Sequence, residues 1–431
     1  MKNREMSELL LPSLYKEERQ KVIEECSACG LCIETCPVIT FSALADENPT
    51  EIANSVIEVF RGGPISELAF KRAFACVRCG VCWECCRQGL NPYMLQVILR
   101  AEMYVQGKVS PHEKRPPRIG EKVYSPNEVL MALTTKPEGK RWLTSPDENP
   151  APKDYVIFLG CAAPVHSGMM NTLFSILDVL GIDYVALGAG NPCCGGSTES
   201  KGFIIEANKK RDKLIETILA YKAKKCVVFC PTCYFRLTKL WGSDVKVPDN
   251  IDILHVSHFL ADNLDKLKFT KKLNKTVTLF DSCKMGRICK EFEAPRKVLR
   301  ALPGVKVIET QDIKDCSCCG GGSRYFPEVA DGIQRQTMDQ FQKSGADIVV
   351  TTCQYCHVNF LKMASGYSFE FVQFLDLVGE AMGLDNEDKI KKYMKYHDSD
   401  RVIREALPCI EANSLSLSRE ELKYLLGLIL P

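Results

Sequence analysis

The sequence predicts an α+β multidomain chain: a mainly helical, cysteine-rich unit followed by two tandem α/β repeats built on short parallel sheets. Three observations carry this. Two cysteine runs of one spacing lie among helically patterned segments, a proline-dense stretch follows them, and behind it one order of strands, helices and Cys-Cys-Gly motifs occurs twice. The boundaries fall at 1–106 for the helical unit, 107–152 for a linker, 153–265 and 266–376 for the repeats, and 377–431 for a helical C-terminal extension.

In the first unit, residues 1–25 read as helix, because Leu9, Leu10, Leu14, Val22 and Ile23 fall near helical spacing amid Glu and Lys. Cys26, Cys29, Cys32 and Cys36 then form C-x₂-C-x₂-C-x₃-C ahead of Pro37, and Cys76, Cys79, Cys82 and Cys86 repeat the spacing. Three thiolates two residues apart can curl round one face of a cubane cluster, while the longer spacer carries the fourth away. In two-cluster ferredoxins that fourth cysteine ligates the other cluster. The spacing thus assigns Cys26, Cys29, Cys32 and Cys86 to one cubane [4Fe–4S] cluster and Cys76, Cys79, Cys82 and Cys36 to a second. Zinc ribbons join two C-x₂-C pairs and do not run three thiolates in succession. Arg87 stands where the first run has proline, and Cys85 is an alternative fourth ligand against which the spacing of Cys36 weighs. Asn54–Phe60 and Leu68–Phe74 between the runs are helically patterned. The unit resembles the helical ferredoxin domains of succinate dehydrogenase and fumarate reductase iron–sulfur subunits.

From 107 to 152, eight prolines from Pro111 to Pro152 are scattered among charges, which predicts a linker or wrapping arm without regular helix or sheet. The repeat follows. Its first copy runs YVIFLGC (155–161), a helix to Leu180, a strand YVAL (184–187), NPCCGG (191–196), a helix to Ala223 and CVVFCPTCYF (226–235). Its second runs VTLFDSC (277–283), a helix to Leu302, VKVI (305–308), CSCCGGG (316–322), a helix to Ser344 and DIVVTTCQYCHVNF (347–360). β-branched runs alternating with helices predict parallel sheets, with the cysteines at the carboxyl ends of strands, where such sheets bind ligands. After Val372 the chain reads as charged helix, ending on an apolar turn at 424–430 fit to dock on the body or a partner.

Each repeat offers five cysteines in one order: Cys161, Cys193, Cys194, Cys230 and Cys233, then Cys283, Cys318, Cys319, Cys353 and Cys356. Five thiolates exceed what one cubane takes, and adjacent cysteines suit the bridging of two irons better than one small ion. Here the chain resembles the cysteine-rich CCG-domain proteins, and most closely heterodisulfide reductase catalytic subunits fused to a ferredoxin module. The resemblance spans about residues 20–375. It implies one noncubane [4Fe–4S] cluster per repeat, cleavage of a small disulfide or thiol-derived substrate between them, and an electron-donating partner that is a flavoprotein or a cytochrome b. Relatives with other tasks often have one repeat degraded, whereas all ten positions are present here. Many relatives read HDPCHLGR in the second repeat; this chain has FDSCKMGR, with Phe280 and Lys284 in place of two histidines. That departure bears on the substrate more than on the cluster, and it keeps open a second reading, a pure electron relay within a larger complex.

Beyond the ligands, His166, five residues past Cys161, and His357, next to Cys356, are candidate catalytic proton donors, with buried core residues as the alternative. Lys284 is a third candidate, beside Arg287, for neutralising a cluster or an anionic substrate, with a salt bridge as the plain alternative. Cys85, Cys226, Cys289, Cys316 and Cys409 remain as small buried hydrophobes, Cys316 being the one nearest a Cys-Cys-Gly pair.

The 56 basic and 54 acidic residues nearly cancel, which argues against a nucleic-acid partner. No Walker or G-x-G-x-x-G signature follows a strand, so electrons are expected from another subunit. The first residues carry no export signal, the 23 cysteines suit a reducing compartment, and no apolar run spans a bilayer. A cytoplasmic protein is expected, with any membrane contact made through a partner.

Overall fold

The computed structural model describes residues 11–108, 118–119, 122–123, 126–136, 146–188, 192–239, 241–242, 245, 247, 249–310, 318–322, 326–413, 415 and 417–430. The first ten residues of the predicted N-terminal helix, and Cys316, lie outside them.

The N-terminal unit is helical. Its main helices are α1 (Ser13–Glu25), α2 (Pro49–Phe60), α3 (Glu67–Ala75) and α4 (Pro92–Val105), and each cysteine run is wound into a short turn, Leu31–Glu34 or Val81–Cys85. Asn48 and Ser66 cap α2 and α3 by accepting backbone N–H bonds, and Pro49 and Pro92 occupy first-turn positions that need no N–H. The four helices bury one shared core that includes Tyr15, Val56, Phe60, Phe74, Ile98 and Leu99.

Both repeats are parallel four-stranded sheets of one topology. The first comprises β1 (Tyr155–Phe158), β2 (Tyr184–Leu187), β3 (Lys225–Val228) and β4 (Asp252–His255) in the order β2-β1-β3-β4. The second comprises β5 (Lys275–Phe280), β6 (Val305–Val307), β7 (Ile348–Thr351) and β8 (Glu370–Gln373) in the order β8-β7-β5-β6. Placing β5 on β1 superposes the roles: β1 pairs β2 and β3 at Tyr155↔Tyr184 and Tyr155↔Lys225, while β5 pairs β6 and β7 at Val277↔Val307 and Val277↔Ile348. The equivalents in order are β2 with β6, β3 with β7 and β4 with β8. The two sheets share one core, in which Ile157, Phe174 and Phe259 join Leu279, Val350 and Phe374.

One expectation is corrected. The proline-rich segment is expected from its sequence to lack helix and sheet, yet Pro126–Thr134 is a helix, α5 in this numbering before the repeats, and Arg118–Ile119 pairs with Lys122–Val123. Pro126 opens that helix, and the next proline, Pro137, lies beyond its end, so nine helix-forming residues are free of breakers. Its Val129, Leu130 and Leu133 pack with Ile390, Val402, Leu425 and Leu426 of the C-terminal extension. That extension comprises helices Phe374–Met382, Lys389–Met394, Ser399–Ala412 and Arg419–Ile429. No helix among the described residues is long and apolar enough to cross a membrane.

Candidate metal centres

The two N-terminal runs are bent alike. Ala28 and Arg78, and likewise Gly30 and Gly80, take left-handed backbone angles at matching positions, which turns three cysteines of each run to one side. Cys26, Cys29 and Cys32 line a cavity of ≈ 60 Å³ together with Cys86 from the other run. Cys85 is not in that lining; its thiol faces the carbonyls of Leu31 and Cys82 and accepts from the Thr35 hydroxyl. Reciprocally, Cys79 and Cys82 lie within electrostatic reach of Cys76 and of Cys36. The two sets of four exchange their last members.

Between the sets stands Arg72, 1% exposed, whose guanidinium donates to Cys36 Sγ at 3.7 Å and interacts with Cys76, Cys82 and Cys32. The sequence reading missed it. Its position on α3, four residues before Cys76, was the available signal. Burial pushes the Cys32 thiol up to about 11 and, with the neighbouring Cys36, pushes Cys79 up to about 12. Thiols packed this densely away from water can ionise only beside a compensating cation, so the donor set fits a metal cluster.

In each repeat the five cysteines converge from strand ends and the Cys-Cys-Gly loop. Cys233 Sγ donates to Cys194 Sγ at 3.2 Å, and Cys194 is also close to Cys161, Cys193 and Cys230. The second repeat has the same pairing: Cys356 bonds Cys319, Cys353 bonds Cys356, and Cys283 faces Cys319 and Cys353. Backbone N–H groups of Gly195 and Gly320 point at Cys193 and Cys318 Sγ, each at 3.4 Å. A side chain on either glycine would strike a helix carbonyl, Ala207 at 2.2 Å or Ala330 at 2.7 Å, which is why glycine follows the paired cysteines. Hydrogen bonding from Cys193 and Cys233 pulls Cys194 well below the usual thiol range.

The sites meet the N-terminal unit in different ways. Cys318 lies near Cys79, and both belong to one apolar cluster with Cys36, Val77 and, at its edge, Cys283. The first repeat instead connects through buried charges. Glu199, 2% exposed, binds Arg236 and Arg78, whose backbone N–H reaches Cys76 Sγ at 3.3 Å, and Arg236 donates to the Cys194 carbonyl at 3.2 Å. Burial would raise the Glu199 carboxyl, but the two guanidiniums overcome it and hold the group at about 2.

The three sequence-named proton donors are separated. Lys284 Nζ donates to Tyr93 Oη at 2.6 Å and to the Arg78 carbonyl at 2.8 Å, facing the N-terminal unit. His166 and His357 lie together, ring centroids 5.6 Å apart, with His357 Nε2 2.7 Å from Asp388 Oδ2. Phe280 packs edge-on to Phe360 at 5.0 Å within an aromatic core shared with Phe341. Cys226 is buried on β3, and Cys409 accepts from Lys389 Nζ at 3.3 Å.

The family model for the cysteine-rich domain, CCG, matches twice, over residues 155–238 and 277–361, and both matches coincide with the two sheets. The chain belongs to the cysteine-rich CCG-domain family. Among known CCG proteins it is 28% identical over 406 residues to a component of the dihydromethanophenazine:CoB–CoM heterodisulfide reductase of Methanosarcina mazei, covering 85% of this chain and 95% of that one. It is 27% identical over 375 residues to a component of the fumarate reductase (CoM/CoB) of Methanothermobacter marburgensis, covering 81% and 69%. It is 25% identical over 405 residues to the EtfAB:quinone oxidoreductase of Syntrophomonas wolfei, covering 78% and 54%.

Proposed function

We propose that the chain is an iron–sulfur electron-transfer and disulfide-reducing subunit with two cubane [4Fe–4S] clusters in residues 1–106 and one noncubane [4Fe–4S] cluster in each CCG repeat. The carrying observation is the approach of Cys318 to Cys79, which makes the thiol-lined pockets of the N-terminal unit and the second repeat neighbours in one apolar cluster. Cys26, Cys29, Cys32 and Cys86 would hold the first cluster and Cys76, Cys79, Cys82 and Cys36 the second; the five cysteines of each repeat would hold the third and fourth. Bound clusters would supply single electrons, two of which, with two protons, convert one disulfide into two thiols. Around them, Arg72 offsets thiolate charge, the Cys-Cys-Gly amides donate to sulfur, and Arg287, 4% exposed, donates to the Cys79 carbonyl at 3.3 Å.

The names of the relatives support a partner that donates electrons, a flavoprotein or a cytochrome b, and a cytoplasmic protein reaching a membrane only through it. A relay without disulfide chemistry is the second reading. It is favoured by Phe280, buried in an aromatic core, and by Lys284, engaged with Tyr93 and Arg78 instead of with an open site.

The test is paramagnetic resonance of the anaerobically purified, oxidised protein with a panel of small thiols, alongside reduction of the matching disulfides by a viologen donor. A thiol-dependent signal with disulfide turnover is the predicted result. Neither signal nor turnover, with the iron complement intact, would establish the relay.

A further inference from the structure

His166 and His357 come from different repeats, the first ahead of helix Ser167–Leu180 and the second on helix Gln354–Leu361, while Asp388 caps helix Lys389–Met394 of the C-terminal extension. One donor atom from each of the three lies within 4.8 Å of the others. Both imidazoles are at most 3% exposed. Asp388 Oδ1 accepts from the Lys391 backbone N–H, and Oδ2 faces His357 Nε2.

A plain hydrogen-bonded brace accounts for only part of this. It leaves His166 Nδ1 and His357 Nδ1 buried without partners, and it leaves Asp376 Oδ1 buried without a partner nearby. Asp376 is within electrostatic reach of Asp388, and a side chain at Gly168, two residues from His166, would stand 3.0 Å from that same Oδ1. Burial pushes His166 down to about 4, so it is a neutral imidazole with a lone pair near pH 7 and does not offset the carboxylates. Two neutral-capable imidazoles and a carboxylate are a donor set for borderline divalent cations. Zinc bonds of about 2.1 Å in tetrahedral geometry set donors about 3.4 Å apart, a contraction that side-chain rotation can supply from the observed spacing.

We propose that His166, His357 and Asp388 form a mononuclear site for a zinc-class divalent cation, which pins the C-terminal extension to the junction of the two repeats. The site uses none of the eighteen cysteines of the iron–sulfur reading and stands or falls apart from it. A fourth position is open to water, and Asp376 is placed to accept from that water.

The experiment uses the full chain, purified anaerobically with its clusters from zinc-supplemented cells. Metal analysis should find about one zinc per chain besides iron. The zinc-edge X-ray absorption spectrum should show nitrogen and oxygen neighbours with imidazole scattering and no sulfur. In His166→Gln and Asp388→Asn the zinc should fall roughly tenfold or more while visible cluster absorbance persists. The proposal is overturned by a wild type without stoichiometric zinc, by zinc retained in both variants, or by a sulfur-coordinated spectrum, which would put zinc in a cysteine site. The wild-type spectrum decides the matter even where a variant does not fold.

Discussion

The two repeats share a sheet order and a five-cysteine pattern, but they grip the N-terminal unit by different forces. The second uses close packing: a side chain on Gly322 would stand 2.4 Å from the Val77 carbonyl, one on Gly80 would strike Ile288, and Cys318 approaches Cys79. The first uses buried charge, with Glu199 held between Arg78 and Arg236. The cysteines differ accordingly: Cys161 is exposed among the described residues, whereas its counterpart Cys283 is half-buried against the N-terminal cluster. Duplication has thus produced one site turned toward the N-terminal unit and one turned toward solvent. Electron entry at the second repeat and substrate access at the first follow from that asymmetry within the proposed function.

Breaking the charged contact should have the largest effect. Glu199→Gln leaves two buried guanidiniums undercompensated and should destabilise the folded chain by about 3–5 kcal/mol, read as a fall in the anaerobic melting temperature. The folded carboxyl, near 2, lies below its ordinary value near 4.5. The stabilisation is therefore complete above the ordinary value and lost as pH falls toward 2, so the variant should show a flatter acid dependence over that window. An unchanged melting temperature would mean that the web carries no stability.

Breaking the packed contact should cost less. Gly322→Ala forces a methyl against backbone, for about 1–3 kcal/mol, and should slow reduction of the repeat clusters by the N-terminal unit, followed by rapid-mixing absorbance. The smallest effect is expected from Tyr93→Phe, whose phenol oxygen accepts from both Lys284 and Arg78 at 2.6 and 2.8 Å. Both cations keep other partners, the Arg78 carbonyl for Lys284 and Glu199 for Arg78, so a loss of about 1 kcal/mol is expected. Since Tyr93 touches both repeats' contacts, a much larger loss would show that the two grips are coupled.

Much of the architecture was readable because it repeats locally. β-branched runs such as Tyr155–Phe158 and Ile348–Thr351 lead into cysteines, and each Cys-Cys-Gly motif precedes a helix. The fourth strand of each sheet, Asp252–His255 or Glu370–Gln373, went unread, since each is a short edge strand with no motif beside it. Proline density concealed the helix at Pro126–Thr134. In the candidate sites the cysteines were legible from spacing. Arg72, Glu199, Arg236 and Asp388 were not, because their partners are remote; Glu199 lies 121 residues from Arg78. Phe280 and Lys284 drew notice as departures from a motif, and the structure supplies their surroundings, an aromatic core and an interdomain hydrogen-bond pair.

The central claim is that all four thiol-lined pockets hold iron. Iron and acid-labile sulfide analysis of the anaerobically purified full chain tests it most directly. Four clusters predict about sixteen irons per chain, falling to about twelve in Cys194→Ser and in Cys319→Ser. About eight irons in the wild type, unchanged in both variants, would contradict it and leave only the N-terminal pair.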